Sequence, residues 1–206
     1  MKILALASAS IIALATPAFA QQVSNVSAIQ QVGEFNTSTV SQGDDNNVSV
    51  VSQIGDRLTA TVVMGSTAGT DNNSLIVQDS INDSALVEIN GDNNTSNVMQ
   101  TATSVRGGNS SETRLSGNNG ESFTSQAGEG NYANVTFSPG SESSLSSITQ
   151  EGEDNRATVA SGDVSNISLI SQVDAANVAD VFQVGSNNLS AISQLGFANT
   201  ATVTQR

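Results

Sequence analysis

The chain contains no cysteine, no histidine and no tryptophan, and only two prolines among its 206 residues. Disulfides, thiolate metal centres and imidazole proton transfer are therefore excluded. Aromatic residues make up 3% of the chain, too few for an ordinary close-packed globular core. A sequence so rich in Asn, Ser, Thr and Gly is either disordered or stacks repeats. Positive charge is scarce as well: six Lys and Arg stand against nineteen Asp and Glu, a net charge of −13. Such a polyanion repels nucleic acid, whose binding draws its affinity from Lys and Arg displacing counterions, so no nucleic-acid partner is expected.

Residues 1–20 read as a secretory signal peptide. Lys2 supplies the positive start, Ile3 to Ala15 an apolar stretch, and Ala18-Phe19-Ala20 a small-x-small cleavage site before Gln21. Loss of Lys2 on cleavage lowers the net charge from −13 to −14. The apolar stretch is shorter than the ~20 residues that span a bilayer, and no later stretch is as continuously apolar, so no membrane anchor is expected.

What fills residues 21–206 is one recurring unit, Asn-x-(Ser/Ala)-x-(Val/Ile)-x-Gln. It starts at 25, 36, 47, 58, 72, 83, 94, 109, 120, 131, 144, 155, 166, 177, 188 and 199. Twelve of the fifteen spacings are 11 residues; the other three place extra residues near 65–71, 101–108 and 138–143, between units and never inside one. The period of two within a unit, with a β-branched residue at its fifth position, predicts a short strand. The four residues between units, such as Gly43-Asp44-Asp45-Asn46, predict turns.

Odd units carry Ser at the third position and even units mostly Ala, so the true rung is about 22 residues long, strand-turn-strand-turn. The predicted fold is all-β: a β-solenoid of eight rungs, starting near 25, 47, 72, 94, 120, 144, 166 and 188, with two facing parallel in-register sheets. Val and Ile point inward, and a one-residue slip would expose them. Buried amides stacked at one rung spacing satisfy one another, which makes the ladder residues the candidate functional positions. One ladder, Gln31, Gln53, Gln78, Gln100, Gln126, Gln150, Gln172 and Gln194, runs through all rungs. The opposite one keeps Gln42, Gln183 and Gln205 at its ends, with Met64, Ile89, Leu115, Phe137 and Ser161 between. Asn36, Asn131, Asn155, Asn177 and Asn199 complete the candidate set. The units run nearly to both ends of the chain, so both end rungs are expected to be bare edges.

These units resemble the repeats of the curlins, secreted subunits of curli, the extracellular amyloid fibres of bacteria. The best matches are Asn188-x-Ser-x-Ile-x-Gln194-x-Gly196-x-x-Asn199-x-Ala-x-Val-x-Gln205 and Asn25 to Gln42. The resemblance implies a cell-surface polymer serving adhesion and biofilm matrix, in which the stacked Gln and Asn positions carry assembly. It implies as partners further copies of the chain, other curli subunits and a curli secretion apparatus. With Arg206 the only charge after Asp180, the chain reads as a major subunit rather than a nucleator. Departures from the pattern are Leu58, Asp83, Gly120 and Ser144 in place of Asn, and Ser80, Ala102 and Asp174 in place of the turn Gly.

Other readings are weaker. Asp44-Asp45, Asp92 and Glu151-x-Glu153-Asp154 suggest calcium turns, but the nine-residue glycine-aspartate repeat of calcium β-rolls is absent, so solvated acidic turns are expected. Glu151 and Asp154 have no cleft-forming insertion beside them, and neither an enzyme nor any cofactor is expected. Outward Thr pairs such as Thr37/Thr39 and Thr200/Thr202 suggest an ice-binding face, but Arg156/Thr158 and Val178/Asp180 interrupt the array. A monomeric solenoid adhesin or ligand-binding protein, closed by its own termini, is the alternative to a polymer.

Overall fold

The computed structural model describes residues 25–65, 69–102 and 108–206; the expected signal peptide lies outside them. Sixteen strands alternate between two eight-stranded parallel sheets. The odd sheet holds β1 (Val26–Val32), β3 (Val48–Asp56), β5 (Asn73–Ile81), β7 (Thr95–Thr101), β9 (Glu121–Glu129), β11 (Leu145–Glu153), β13 (Ile167–Ala175) and β15 (Leu189–Leu195). The even sheet holds β2 (Thr37–Gln42), β4 (Thr59–Met64), β6 (Ser84–Ile89), β8 (Ser110–Leu115), β10 (Tyr132–Phe137), β12 (Arg156–Ser161), β14 (Val178–Gln183) and β16 (Thr200–Gln205). Each strand pairs with its counterpart one rung away, as expected of an all-β solenoid of eight rungs.

Register is set unit by unit. Gln31 lies beside Gln53, Gln53 beside Gln78 and Gln172 beside Gln194, so the extra residues near 65–71 leave the alignment of units untouched. At 138–143 the extra residues form a tight turn in which the Ser141 N–H donates to the Ser138 carbonyl across Pro139-Gly140, with Gly140 at φ 88°.

One cluster of inward side chains forms the core. Val51, Ile76, Val98, Ile148 and Ile170 of the odd sheet meet Val62, Val87, Val135, Val159 and Val181 of the even sheet. The apolar centre expected of the even ladder is present: Met64, Ile89, Leu115 and Phe137 are fully buried. Phe137 also accounts for two departures from the Asn pattern. A Cβ added at Gly120 would lie 3.0 Å from the Phe137 ring, and the small Ser144 follows one rung on in the same file. The largest core side chain sits where the corner residues are smallest.

The turns differ from the sequence expectation. Strands β3, β5, β9, β11 and β13 run nine residues, past the ladder Gln into stretches expected to be turns. The bend concentrates instead at two points. Gly33, Gly55, Gly128 and Gly152 have φ between 114° and 130°. A Cβ at Gly33 would lie 1.8 Å from the Gly55 carbonyl oxygen, so the backbone at φ 115° admits only glycine there. The second point, from the second unit on, is the residue just before the unit's first position, left-handed even where it is Phe35, Arg57, Ala176 or Ala198.

Candidate assembly ladders and end faces

The odd-sheet Gln side chains form one continuous chain of hydrogen bonds. The Gln31 amide donates to Oε1 of Gln53 at 2.6 Å, and the series continues through Gln78, Gln100, Gln126, Gln150 and Gln172 to Gln194 at 2.8–2.9 Å. From Gln53 onward the second amide hydrogen is used too, on a carbonyl at the start of an even strand: Gln53 on Thr37, Gln100 on Ser84, Gln194 on Val178. Each ladder Gln therefore ties its rung to the next and the odd sheet to the even one. Seven of the eight, Gln53 to Gln194, are buried, and Gln31 on the first rung is exposed. A buried primary amide with both hydrogens placed carries little of its usual desolvation cost.

The even ladder is interrupted as expected. Gln183 donates to Gln205, and both also donate across to the odd sheet, at Ile167 and Leu189. Gln42 stands over Met64 and donates to the carbonyls of Val26 and Asn47. Beyond Ser161, which offers no amide, the buried Oε1 of Gln183 has no partner among the described residues.

The Asn positions act differently from a stack of like amides. Each Oδ1 accepts the backbone N–H of the equivalent residue on the next rung: Leu58 donates to Asn36, Asn155 to Asn131, Asn177 to Asn155 and Asn199 to Asn177. Each Nδ2 donates to a turn carbonyl of that next rung: Asn36 to Gly55, Asn131 to Gly152, Asn155 to Asp174 and Asn177 to Gly196. Asn131, Asn155 and Asn177 are buried, while Asn199 on the last rung is exposed. Direct amide contacts are the longer ones, at 3.0–3.2 Å. Asn25, Asn47, Asn72, Asn94, Asn109 and Asn166 do the same work, although the ladder set above omits them. Their signal was the same first position of the same unit.

Several acidic positions are not simply solvated, Asp163 among them, which accepts the Gly185 N–H. Asp56 accepts the Glu34 N–H, and Asp92 accepts the Thr70 N–H, each bridging neighbouring rungs at 2.8 Å. No group of three or more Asp and Glu is placed to hold a metal ion among the described residues.

The Gln-to-Gln bonds and the Asn bonds to the next rung's backbone each keep one direction along the axis, while the second hydrogens of the odd-sheet Gln turn back to the preceding rung, as Gln53 does on Thr37. Gln donates toward the C-terminal rung, while Asn accepts from it and donates to its turn. The two ends of the column therefore differ. Among the described residues, the C-terminal face presents the amides of Asn188, Gln194, Asn199 and Gln205 beyond the last paired strands; the N-terminal face presents Oε1 of Gln31 and Gln42 and the outer edges of β1 and β2. Ile29, Val40, Ala201 and Val203 pack on the core but stay only partly buried, because each lies on an end rung.

Among curated proteins, none matches the chain. Residues 175–206, comprising the end of β13 and all of β14, β15 and β16, match the family model described as Curlin associated repeat. The chain thus carries a curlin repeat in its last coil, and that match supports its assignment to the curlin family.

Proposed function

We propose that the chain is a secreted, non-enzymatic structural subunit of curli-like extracellular amyloid fibres. It self-assembles end to end and serves cell adhesion and biofilm matrix, as a major subunit rather than a nucleator. One observation carries the reading: the two end faces are complementary in the terms that join the interior rungs. Asn25 and Asn36 of one copy, set below Asn188 and Asn199 of another, supply the backbone N–H groups that those side chains accept inside the column. Gln31 and Gln42 supply acceptors for Gln194 and Gln205. The added rung also buries Ile29 and Val40 against Ala201 and Val203. Parallel edges with free N–H and C=O groups recruit further strands of the same kind. Growth is then head to tail, since two N-terminal faces would set Gln Oε1 against Gln Oε1 and backbone N–H against backbone N–H.

The experiment is fibre growth of the chain from Gln21 onward, followed by thioflavin fluorescence, electron microscopy and fibre diffraction. The expected result is unbranched filaments with a ~4.8 Å spacing along the axis. Gln31→Ala and Gln194→Ala should slow elongation more than Gln100→Ala does. The central change acts on stability instead, by about 1–3 kcal/mol, through the unpaired amide groups it leaves on Gln78 and Gln126. Monomers that persist at micromolar concentration in sedimentation would overturn the proposal in favour of a solitary solenoid adhesin.

A further inference from the structure

The two outer faces of the column have opposite character. On the odd sheet three files of outward side chains precede the ladder Gln and a fourth follows it. The middle one of the three reads Ala28, Val50, Leu75, Asn97, Phe123, Ser147, Leu169, Ala191 and holds no charge. Across these three files the one charged residue is Glu121, and the fourth file, at the border of the face, adds Asp79 and Glu151. The outer face of the even sheet carries five charges, Glu88, Glu112, Arg114, Arg156 and Asp180, and an ion pair joins Arg114 to Glu88. Most other acids lie at turns and strand ends.

Val50, Leu75, Met99, Phe123 and Leu169 are each 36–49% exposed on the odd face, and nothing among the described residues covers them. The surface is ridged. Beside Phe123, Met99 and Leu75 lies a depression of 280 Å³, and a second, of 410 Å³, opens over Ala191 and Ser193. Eight strands at ~4.8 Å, each about 20 Å long, give a face of roughly 750 Å². Two such faces bury roughly 1,500 Å², within the range of stable specific interfaces. The fibre repeats that area at every subunit.

We propose that the outer face of the odd-strand sheet is a second self-association surface, on which a neighbouring column of the same chain packs face to face. The composition selects this occupant. Short Ser, Thr, Ala and Asn side chains are interspersed with Val, Leu and Phe, with charge confined to Asp79, Glu121 and Glu151 on the border files, the make-up of a dry sheet-to-sheet interface. A lipid surface would call for Lys or Arg around the apolar patch, and acids border this one. The proposal is independent of end-to-end growth, because the face is complete on one copy.

The test uses the chain from Gln21 onward at ~0.15 M salt, where the flanking acids of the two copies are screened beyond ~8 Å. Leu75→Glu with Leu169→Glu places like charges at the centre of the face; Thr61→Glu with Thr158→Glu does the same on the even sheet as a control. Both sites point outward, and circular dichroism verifies that the strands are retained. Mass per unit length by dark-field electron microscopy is expected to be twice that of one column for wild type and control, and to fall two-fold in the Leu75/Leu169 variant. Wild-type filaments one column wide, or pairing retained by that variant, would overturn the proposal. So would single columns that bind phosphatidylcholine vesicles through Leu75 and Leu169. If no filaments form, sedimentation equilibrium separates the two ideas. A wild-type dimer weakened at least ten-fold by Leu75→Glu/Leu169→Glu keeps lateral pairing and sinks end-to-end growth, whereas a monomer sinks both.

Discussion

Asp83 stands where the repeat calls for Asn, and its neighbours have adapted to it. It is buried; the Ser80 hydroxyl donates to its Oδ2, and the N–H groups of Gly108 and Asn109 donate to its Oδ1. Ser80 itself replaces a turn Gly, so two departures in the sequence prove to be one local arrangement. Burial pushes the Asp83 carboxyl above its ordinary value, against the lowering effect of these hydrogen bonds. The folded protein then holds the proton more tightly than the unfolded chain, so stability rises as pH falls through the raised folded-state value and levels off below the unfolded one. Asp83→Asn keeps the shape and removes the charge. It is expected to stabilise the fold at neutral pH by about 1 kcal/mol and to flatten this part of the pH dependence, as urea unfolding at several pH values would measure. An unchanged pH profile would show that Asp83 is not the titrating group.

At the scale of the strand and its bends, the column depends on two kinds of left-handed backbone with opposite tolerance to change. Gly152 has φ 114°, and a Cβ there would lie 2.1 Å from the Asp174 carbonyl oxygen. Gly152→Ala is therefore expected to cost ~3 kcal/mol or more. Ala176 holds φ 57° with a side chain that disfavours it, so Ala176→Gly should gain about 0.5–1 kcal/mol after the extra freedom of the unfolded chain is subtracted. Denaturant unfolding at low ionic strength reads both changes, and the opposite signs are the point of the pair. The strands themselves were legible in the sequence, because period-two Ser/Ala and Val/Ile leave no helical alternative. The extension of β11 and β13 past the ladder Gln was not, since Glu151-Gly152-Glu153 and Val173-Asp174-Ala175 read as turns and are held extended by pairing with each other across rungs.

For the whole molecule, charge and edge work against each other. Nineteen acidic residues against six basic ones keep copies apart, while the end faces and the charge-poor odd face draw them together. Raising salt from about 10 mM to about 150 mM shortens the screening length from ~30 Å to ~8 Å and removes most of that repulsion. Thioflavin lag times are expected to shorten at least ~3-fold over this range. A lag indifferent to salt would show that charge does not restrain assembly.

The 11-residue unit, taken alone, determined the class of fold, the inward Val and Ile and the unbroken Gln ladder, because a strand's two faces follow from alternation and stacking follows from repetition. Only the tertiary structure decided how the amides are used. A side chain's second hydrogen finds its acceptor on the opposite sheet, as Gln53 does on Thr37, and an Asn finds backbone rather than another Asn. Those partners lie 16 to 22 residues away, at distances set by bends whose geometry resides in φ angles and not in residue types. The same holds for Gly120 beside Phe137 and for the charge-poor outer face of the odd sheet. Each is assembled from positions on separate rungs, and becomes a feature only when the coils are laid on one another.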